Sequence, residues 1–216
     1  MSVLVCFALK EEAAPFRKIA AGIGSRRGHQ VSILLTGIGR QNAERAIRAA
    51  LAESRPSLVL TCGFAGGLEP KLTHGEVVFS TDDSQLKQRL LAAGAREGKI
   101  FCADRVAVTA EEKWSLWQKT GADAVDMESE IIRNICREQG IPSATVRVIS
   151  DIAGEDLPLD FNALSKPDQS LDFAKLALAV LMSPGKIPAL LRLQKQTSSA
   201  AERLAAVLAK VLATEG

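Results

Sequence analysis

Short, continuous apolar runs recur along the first 150 residues and alternate with segments of helical periodicity. Such runs are typical of β-strands that are covered on both faces of a sheet. The strongest strand candidates are Val3–Ala8, Val31–Leu35, Leu58–Cys62 and Ala144–Ile149, and weaker candidates are Glu76–Ser80 and Arg105–Thr109.

Helices are predicted between these strands. Residues 40–53 place Ala43, Ile47 and Leu51 on one face, and a second helix is predicted from Met127 to Gln139, where Gly140 and Pro142 end it. The alternation predicts an α/β fold in three layers, with a central mixed sheet flanked by helices. From Asp168 onwards the pattern is helical, with a break at Ser183–Gly185.

The chain has 216 residues, which predicts one domain with an appendage. We predict that residues 1–165 form the main domain and that residues 166–216 form a helical C-terminal extension packed on it. The run Val3–Leu9 has no basic segment before it, and no apolar stretch approaches the roughly 20 residues of a membrane span. These features favour a cytoplasmic protein.

Composition excludes several classes of function. The formal net charge is +2, which offers no field to attract nucleic acid. Two histidines argue against a multi-histidine metal site, and we expect neither a metal nor an organic cofactor. Four cysteines without a C-x-x-C pair indicate reduced thiols.

Unusual residues follow several predicted strands. Glu12 follows the first strand, Gly37 and Gly39 the second, a glycine cluster the third, and Asp151 the last. Ligands of open α/β sheets bind outside the carboxyl ends of the strands. Gly37-x-Gly39-x-x-Asn42 lacks the third glycine of a dinucleotide-binding fingerprint, and no P-loop or G-x-S-x-G motif occurs. The carboxylates are therefore the remaining candidates for catalytic or binding groups. Taken singly, each acidic residue fits a helix start or a solvated turn.

Five motifs in order give the carboxylates a more specific meaning. The chain resembles the nucleoside phosphorylase and nucleosidase superfamily, and in general it is similar to methylthioadenosine/S-adenosylhomocysteine nucleosidases. The resemblance covers residues 1 to about 155 and rests on Ala8–Glu12, Thr36–Gly39, Cys62–Leu68, Val125–Ser129 and Val146–Asp151.

The resemblance implies roles for individual residues. Asp151 corresponds to the general acid that protonates N7 of the purine, and Glu12 to the general base that activates water in hydrolytic members. Glu128 corresponds to the acceptor of the ribose hydroxyls, and an Asp at position 151 favours adenine over guanine-type bases. Further residues expected to contact the substrate are Met127, Gly66, Gly67, Phe64, Val106 and Ala107.

The nucleophile stays open at this point. Phe64 stands where many relatives have a serine that touches water or phosphate. Phosphate as a co-substrate would need cations or amides, for which Arg40, Gly39 and the Arg26–Arg27 pair are the candidates, although surface roles for these arginines are the simpler interpretation.

A finer resemblance extends over almost the whole chain. Asp151–Pro158 and Ser183–Leu193 resemble the hopanoid-associated phosphorylases, which implies that the substrate is adenosylhopane and that it is cleaved to ribosylhopane and adenine. The stripe Leu204, Val207, Leu208 and Leu212 would either pack on the core or on a second subunit, or rest on a membrane. Homo-oligomers are expected by resemblance. A methylthioadenosine/S-adenosylhomocysteine nucleosidase and a non-catalytic nucleoside-binding protein are the alternatives.

Overall fold

The computed structural model describes residues 2–27, 30–164, 166, 175, 178 and 181–213, and the side chains of residues 23–27 lie outside that description. Strands and helices alternate through residue 151. The strands are β1 (Ser2–Phe7), β2 (Gln30–Leu35), β3 (Leu58–Gly67), β4 (Val77–Thr81), β5 (Arg96–Glu97), β6 (Ile100–Cys102), β7 (Ala124–Asp126) and β8 (Ser143–Asp151). The helices are α1 (Lys10–Arg27), α2 (Arg40–Glu53), α3 (Ser84–Ala92), α4 (Ala110–Thr120), α5 (Ser129–Glu138) and α6 (Ile187–Ala213), with a 3-10 turn at Pro184–Lys186.

The eight strands form one mixed sheet. Its main path runs β2-β1-β3-β8-β4-β5, and β7 joins the end of β3 while also pairing with β6. β1, β2, β3 and β8 are parallel, whereas β4 is antiparallel to β8 and β7 is antiparallel to β3. The carboxyl ends of β1, β3 and β8 therefore lie at one edge of the sheet.

Both faces of the sheet are covered, which explains the continuous apolar runs. In β1, Val3 and Val5 enter one core cluster while Leu4 and Cys6 enter another. Successive strand residues point to opposite faces, so a strand between two layers needs apolar residues at every position. Helices α1, α3 and α6 cover one face, and α2 and α5 cover the other. The predicted three-layer α/β fold with a mixed sheet is confirmed.

One predicted strand is wrong. Arg105–Thr109 forms no strand, because its backbone groups bond elsewhere. The Val106 amide donates to Asn162 Oδ1 at 2.9 Å, and Val108 donates to Glu112 Oε2 at 2.7 Å. Side chains thus take the place of a neighbouring strand for this apolar segment.

Two element boundaries also differ from the predictions. β3 continues through the glycine cluster to Gly67, where it pairs with β7. α5 begins at Ser129, two residues after the predicted start at Met127, because Asp126 ends β7 and Glu128 occupies the N-cap position. Asp126 and Glu128 are consequently buried at a strand–helix junction and do not form an exposed first helical turn.

The C-terminal helix α6 is part of the core. Leu204, Val207, Leu208 and Leu212 are buried in the same cluster as α1 and the sheet, so this stripe is a packing surface and is not free to meet a membrane. The predicted break at Ser183–Gly185 is confirmed, whereas the predicted helix from Asp168 lies largely outside the described residues. The division at residue 165 stays a prediction. No helix in the described part of the chain is long and apolar enough to span a membrane.

We expect Leu208→Ala to lower the free energy of unfolding by about 2–5 kcal/mol, because it opens a cavity in the main core. Leu191→Ala on the same helix is the control: Leu191 is 60% exposed, so its replacement should change stability by less than about 0.5 kcal/mol. Urea denaturation of both variants measures the difference. Equal effects would show that α6 does not contribute to the core in solution.

Candidate active site

One cavity opens at the carboxyl edge of β1, β3 and β8. It brings together residues from widely separated parts of the chain, most of them singled out from the sequence. The residues that were predicted from the sequence and that line the cavity are Glu12, Phe64, Gly66, Val106, Ala107, Met127, Glu128 and Asp151. Gly67, Gly39 and Arg40 do not line it.

Glu12 lies in the first turn of α1 with its carboxylate turned into the protein. Its Oε2 accepts the amide of Leu9 at 2.9 Å and its Oε1 accepts the amide of Phe64 at 2.8 Å. Burial raises the pKa of Glu12, and the two amide hydrogen bonds oppose that rise. The backbone amide of Phe64 therefore holds the Glu12 carboxylate, and this contact does not need a serine side chain at position 64.

Gly63 provides the space for Glu12. A Cβ atom at this position would lie 2.6 Å from Glu12 Oε1, closer than van der Waals contact allows. The backbone φ of +153° also disfavours other residues. The glycine cluster thus allows β3 to pass directly beneath a buried carboxylate.

Glu128 lies between β7 and α5 and is 8% exposed. Its Oε1 accepts the amide of Gly39 at 2.6 Å, so the glycine after β2 contributes to the site through this carboxylate. Burial raises the pKa of Glu128 to about 7; the positive charge of Arg147 opposes the rise and the negative charge of Asp126 adds to it.

Arg147 and Asp126 form a buried ion pair beneath these carboxyl groups, and sequence reasoning missed it. Arg147 Nε and Nη2 lie 2.7 and 2.6 Å from Asp126 Oδ2, and both side chains are almost fully buried. Asp126 Oδ1 also accepts the Ser129 hydroxyl at 2.8 Å. The available signal was an arginine between Val146 and Val148 in an otherwise apolar strand.

Asp151 ends β8 and has a partner on each carboxyl oxygen. The Ser150 hydroxyl donates to Oδ1 at 2.7 Å, and the ammonium of Lys113 lies 2.5 Å from Oδ2. A Cβ at Gly66 would lie 3.3 Å from Oδ2, so this glycine leaves room for the carboxyl. Lys113 was also missed, because the two glutamates directly before it gave no signal of its burial.

The segment Val106–Ala107 forms another wall of the cavity. Asn162 bonds Val106 twice: its Oδ1 accepts the Val106 amide at 2.9 Å and its Nδ2 donates to the Val106 carbonyl at 3.0 Å. Both backbone groups of Val106 are therefore engaged within the protein.

The cation candidates for phosphate lie away from the cavity or face other partners. Arg40 is half exposed and its Nη1 lies 3.5 Å from Glu130 Oε2. The side chains of Arg26 and Arg27 lie outside the described residues. Among the described residues that line the cavity, Arg105 carries a positive charge. Its Nη2 lies 2.5 Å from Glu112 Oε1, so it already has an acidic partner.

The remaining wall is apolar and reaches the C-terminal helix. Leu9 and Ile38 line the cavity from the sheet side. Leu157 and Phe161 follow β8, and Leu193 comes from α6. A ligand in this cavity thus meets carboxyl groups at the sheet edge and hydrocarbon towards α6.

Carboxyl groups gathered in a cavity at the edge of a mixed sheet, within a three-layer fold, are typical of α/β enzymes that act on small ligands. The family model described as the phosphorylase superfamily matches residues 7–89 and 83–182. The chain belongs to the phosphorylase superfamily. This confirms the resemblance at the level of the superfamily and the prediction of an enzyme.

The individual relatives share only modest sequence identity with this chain. The 5'-methylthioadenosine/S-adenosylhomocysteine nucleosidase of Bacillus thuringiensis subsp. konkukian (strain 97-27) is 28% identical over 188 residues, covering 71% of this chain and 79% of the relative. The fold is similar to Campylobacter jejuni 5'-methylthioadenosine/S-adenosyl homocysteine nucleosidase, with a TM-score of 0.74, 16% identity and coverage of 99% of each chain. A futalosine hydrolase mutant of Helicobacter pylori gives a TM-score of 0.73 at 16% identity, with 98% of each chain covered.

We expect Gly63→Ala to lower the free energy of unfolding by about 1–3 kcal/mol, because the new Cβ displaces Glu12 and strains the backbone. Gly22→Ala is the matched control: it lies in α1 with open space around it, so alanine should stabilise the protein by up to about 1 kcal/mol. Chemical denaturation compares the two. A neutral Gly63→Ala would contradict the close packing beneath Glu12.

The raised pKa of Glu128 makes stability depend on pH. Its contribution to the free energy of unfolding is fully present below pH 4.5, where the carboxyl is protonated. That contribution is lost as the pH rises through about 7. The full contribution corresponds to about 3 kcal/mol. Glu128→Gln should abolish that part of the decline, whereas Glu130→Gln, at an exposed site, should keep it. Unfolding free energies measured from pH 4.5 to 7.5 would refute this assignment if both variants matched the unmodified protein.

Proposed function

We propose that this protein cleaves the N-glycosidic bond of an adenine nucleoside. The observation that carries the proposal is the convergence of Glu12, Glu128 and Asp151 on one cavity from three distant parts of the chain. Loss of a purine from ribose needs a proton for the base, a hold on the ribose as positive charge develops, and a nucleophile at C1′. Carboxyl groups serve related roles in glycoside hydrolysis.

Each carboxyl has one role in this proposal. Asp151 donates a proton to N7 of the leaving adenine, which departs neutral. Glu128, as a carboxylate, accepts hydrogen bonds from the ribose 2′ and 3′ hydroxyls, with Met127 against the sugar. Glu12 takes a proton from the water that attacks C1′. Val106, Ala107, Phe64 and Gly66, which line the cavity, surround the base and sugar.

Water is favoured over phosphate as the nucleophile. Glu12 faces the cavity with its pKa raised by burial, which brings a carboxylate base closer to neutral pH. A phosphate beside it would meet a like charge, and the Gly39 amide is already bonded to Glu128. Arg40 points to Glu130. These contacts support hydrolysis.

The apolar wall supports a large, apolar 5′ substituent. Leu157, Phe161 and Leu193 would surround hydrocarbon more favourably than the short polar groups of ordinary nucleosides. With the sequence resemblance, this favours adenosylhopane as the substrate and ribosylhopane and adenine as the products, within hopanoid biosynthesis.

A lipid-linked substrate would be presented at a membrane surface. Lys186 and Arg192 are exposed in the same region as four exposed apolar side chains, a combination that suits an anionic bilayer. The apolar residues are Leu181, Met182, Ile187 and Leu191, which are 78%, 76%, 41% and 60% exposed. We propose peripheral contact here, by a cytoplasmic protein that forms homo-oligomers.

A second candidate substrate class follows from the relatives. The Bacillus relative at 28% identity is a 5'-methylthioadenosine/S-adenosylhomocysteine nucleosidase. The same three carboxyl groups would cleave methylthioadenosine or adenosylhomocysteine, so the two candidates differ only at the 5′ end of the ligand.

Adenine release from a panel of 5′-substituted adenosines, with and without phosphate, tests the proposal. We expect release from adenosylhopane without phosphate, and preferential release from methylthioadenosine would favour the second candidate. Asp151→Asn should lower kcat by about 10²–10⁴-fold while ligand binding persists. Asp104→Asn, at an exposed site outside the cavity, is the control.

No adenine release from any nucleoside by the folded protein would overturn the enzymatic proposal and favour a nucleoside-binding protein. A ribose phosphate product would overturn the assignment of water.

A further inference from the structure

Lys113 is the one fully buried lysine in the described part of the chain. Its side chain is 0% exposed, while each of the others is at least partly exposed. An ammonium group taken out of water destabilises a protein unless its charge and its hydrogens find partners. The partners of Lys113 therefore indicate why a cation stands at this position.

All three hydrogens of the ammonium have an acceptor in one short segment. Lys113 Nζ lies 2.5 Å from Asp151 Oδ2, and it donates to the carbonyls of Ile152 at 3.0 Å and Glu155 at 2.8 Å. An ammonium offers three donors, so the set is complete. Lys113 thus joins α4 to the chain that leaves β8.

The helix that carries Lys113 is itself fixed to the cavity wall. Thr109 and Glu112 form a capping box at the start of α4. The amide of Leu157 donates to the Val108 carbonyl at 2.8 Å, next to the lining segment Val106–Ala107. The position of the ammonium is therefore set by the same segment that lines the cavity.

Charge distinguishes Lys113 from a purely structural tie. Neutral donors could satisfy the carbonyls of Ile152 and Glu155, but a cation can also compensate the negative charge that the Asp151 carboxyl acquires when its proton leaves. With the Ser150 hydroxyl on Oδ1 and the ammonium on Oδ2, rotation of the carboxyl is restrained at both oxygens.

We propose that Lys113 is a positioning residue for Asp151, an inference that rests on the proposed function. It holds the carboxyl in the orientation from which it serves the leaving base. As the Asp151 proton passes to N7, negative charge develops on the carboxyl, and the fixed ammonium stabilises that charge. Preorganised charges of this kind lower the barrier without reorganisation.

The test uses the full chain with Lys113→Gln, which retains neutral donors, and Lys113→Met, which retains the length and lacks donors. Lys119→Gln, at an exposed site on the same helix, is the control. For the best substrate of the panel we expect kcat for adenine release to fall on the order of 10²-fold in both Lys113 variants, with KM within about threefold. The control should match the unmodified protein.

A double-variant comparison separates positioning from general damage to the fold. If Lys113 acts through Asp151, adding Lys113→Gln to Asp151→Asn should slow the reaction no further. Multiplied losses, or a Lys113→Gln variant as active as the unmodified protein, would overturn the inference. Circular dichroism confirms folding, and the Gln variant carries the test if the Met variant unfolds. An unmodified protein that releases no adenine would instead overturn the proposed function.

Discussion

The buried ion pair between Arg147 and Asp126 is the interaction on which the site depends. Arg147 faces the negative potential of Asp126, Glu128 and Glu12 together, and each of them raises its pKa while burial lowers it. Carboxyl groups gathered in a poorly solvated place repel one another and favour protonation. A fixed guanidinium at their centre allows several acids to be buried side by side, and removing one partner of such a pair generally costs about 3–5 kcal/mol.

The sheet provides the positions for these groups. Parallel β1, β3 and β8 end at the same edge, so residues at their ends converge, although Glu12 and Asp151 are 139 positions apart in the chain. The antiparallel strand β7 then crosses the end of β3 at Gly66 and Gly67, and this pairing brings the Asp126–Glu128 segment against the same edge. Mixed topology therefore places Asp126 and Glu128, at and just after the end of β7, beside Glu12, which follows β1, and Asp151, which ends β8.

The cavity has two chemically different halves with different supports. Its polar half is held by amides of Leu9, Phe64 and Gly39, which belong to the sheet and its first turns. Its apolar half comes partly from α6, whose buried face packs on α1 and the sheet. Because α6 both completes the core and lines the cavity, stability and ligand selection depend on the same helix.

The apolar runs in the sequence predicted β1, β2, β3, β4 and β8 and the three layers, because burial on both sheet faces requires apolar residues at every position of a strand. The short strands β5, β6 and β7 were not predicted. The resemblance carried by the five motifs, and not the periodicity, singled out Glu12, Glu128 and Asp151. Only the tertiary structure decided the partners: Lys113 and Arg147 are 34 residues apart in the sequence, yet both are buried beside these acids. It likewise showed that Val106 bonds to Asn162 and forms no strand. Local patterns report which face of an element is apolar, whereas the pairing of distant charges is set by how the strands are ordered in the sheet.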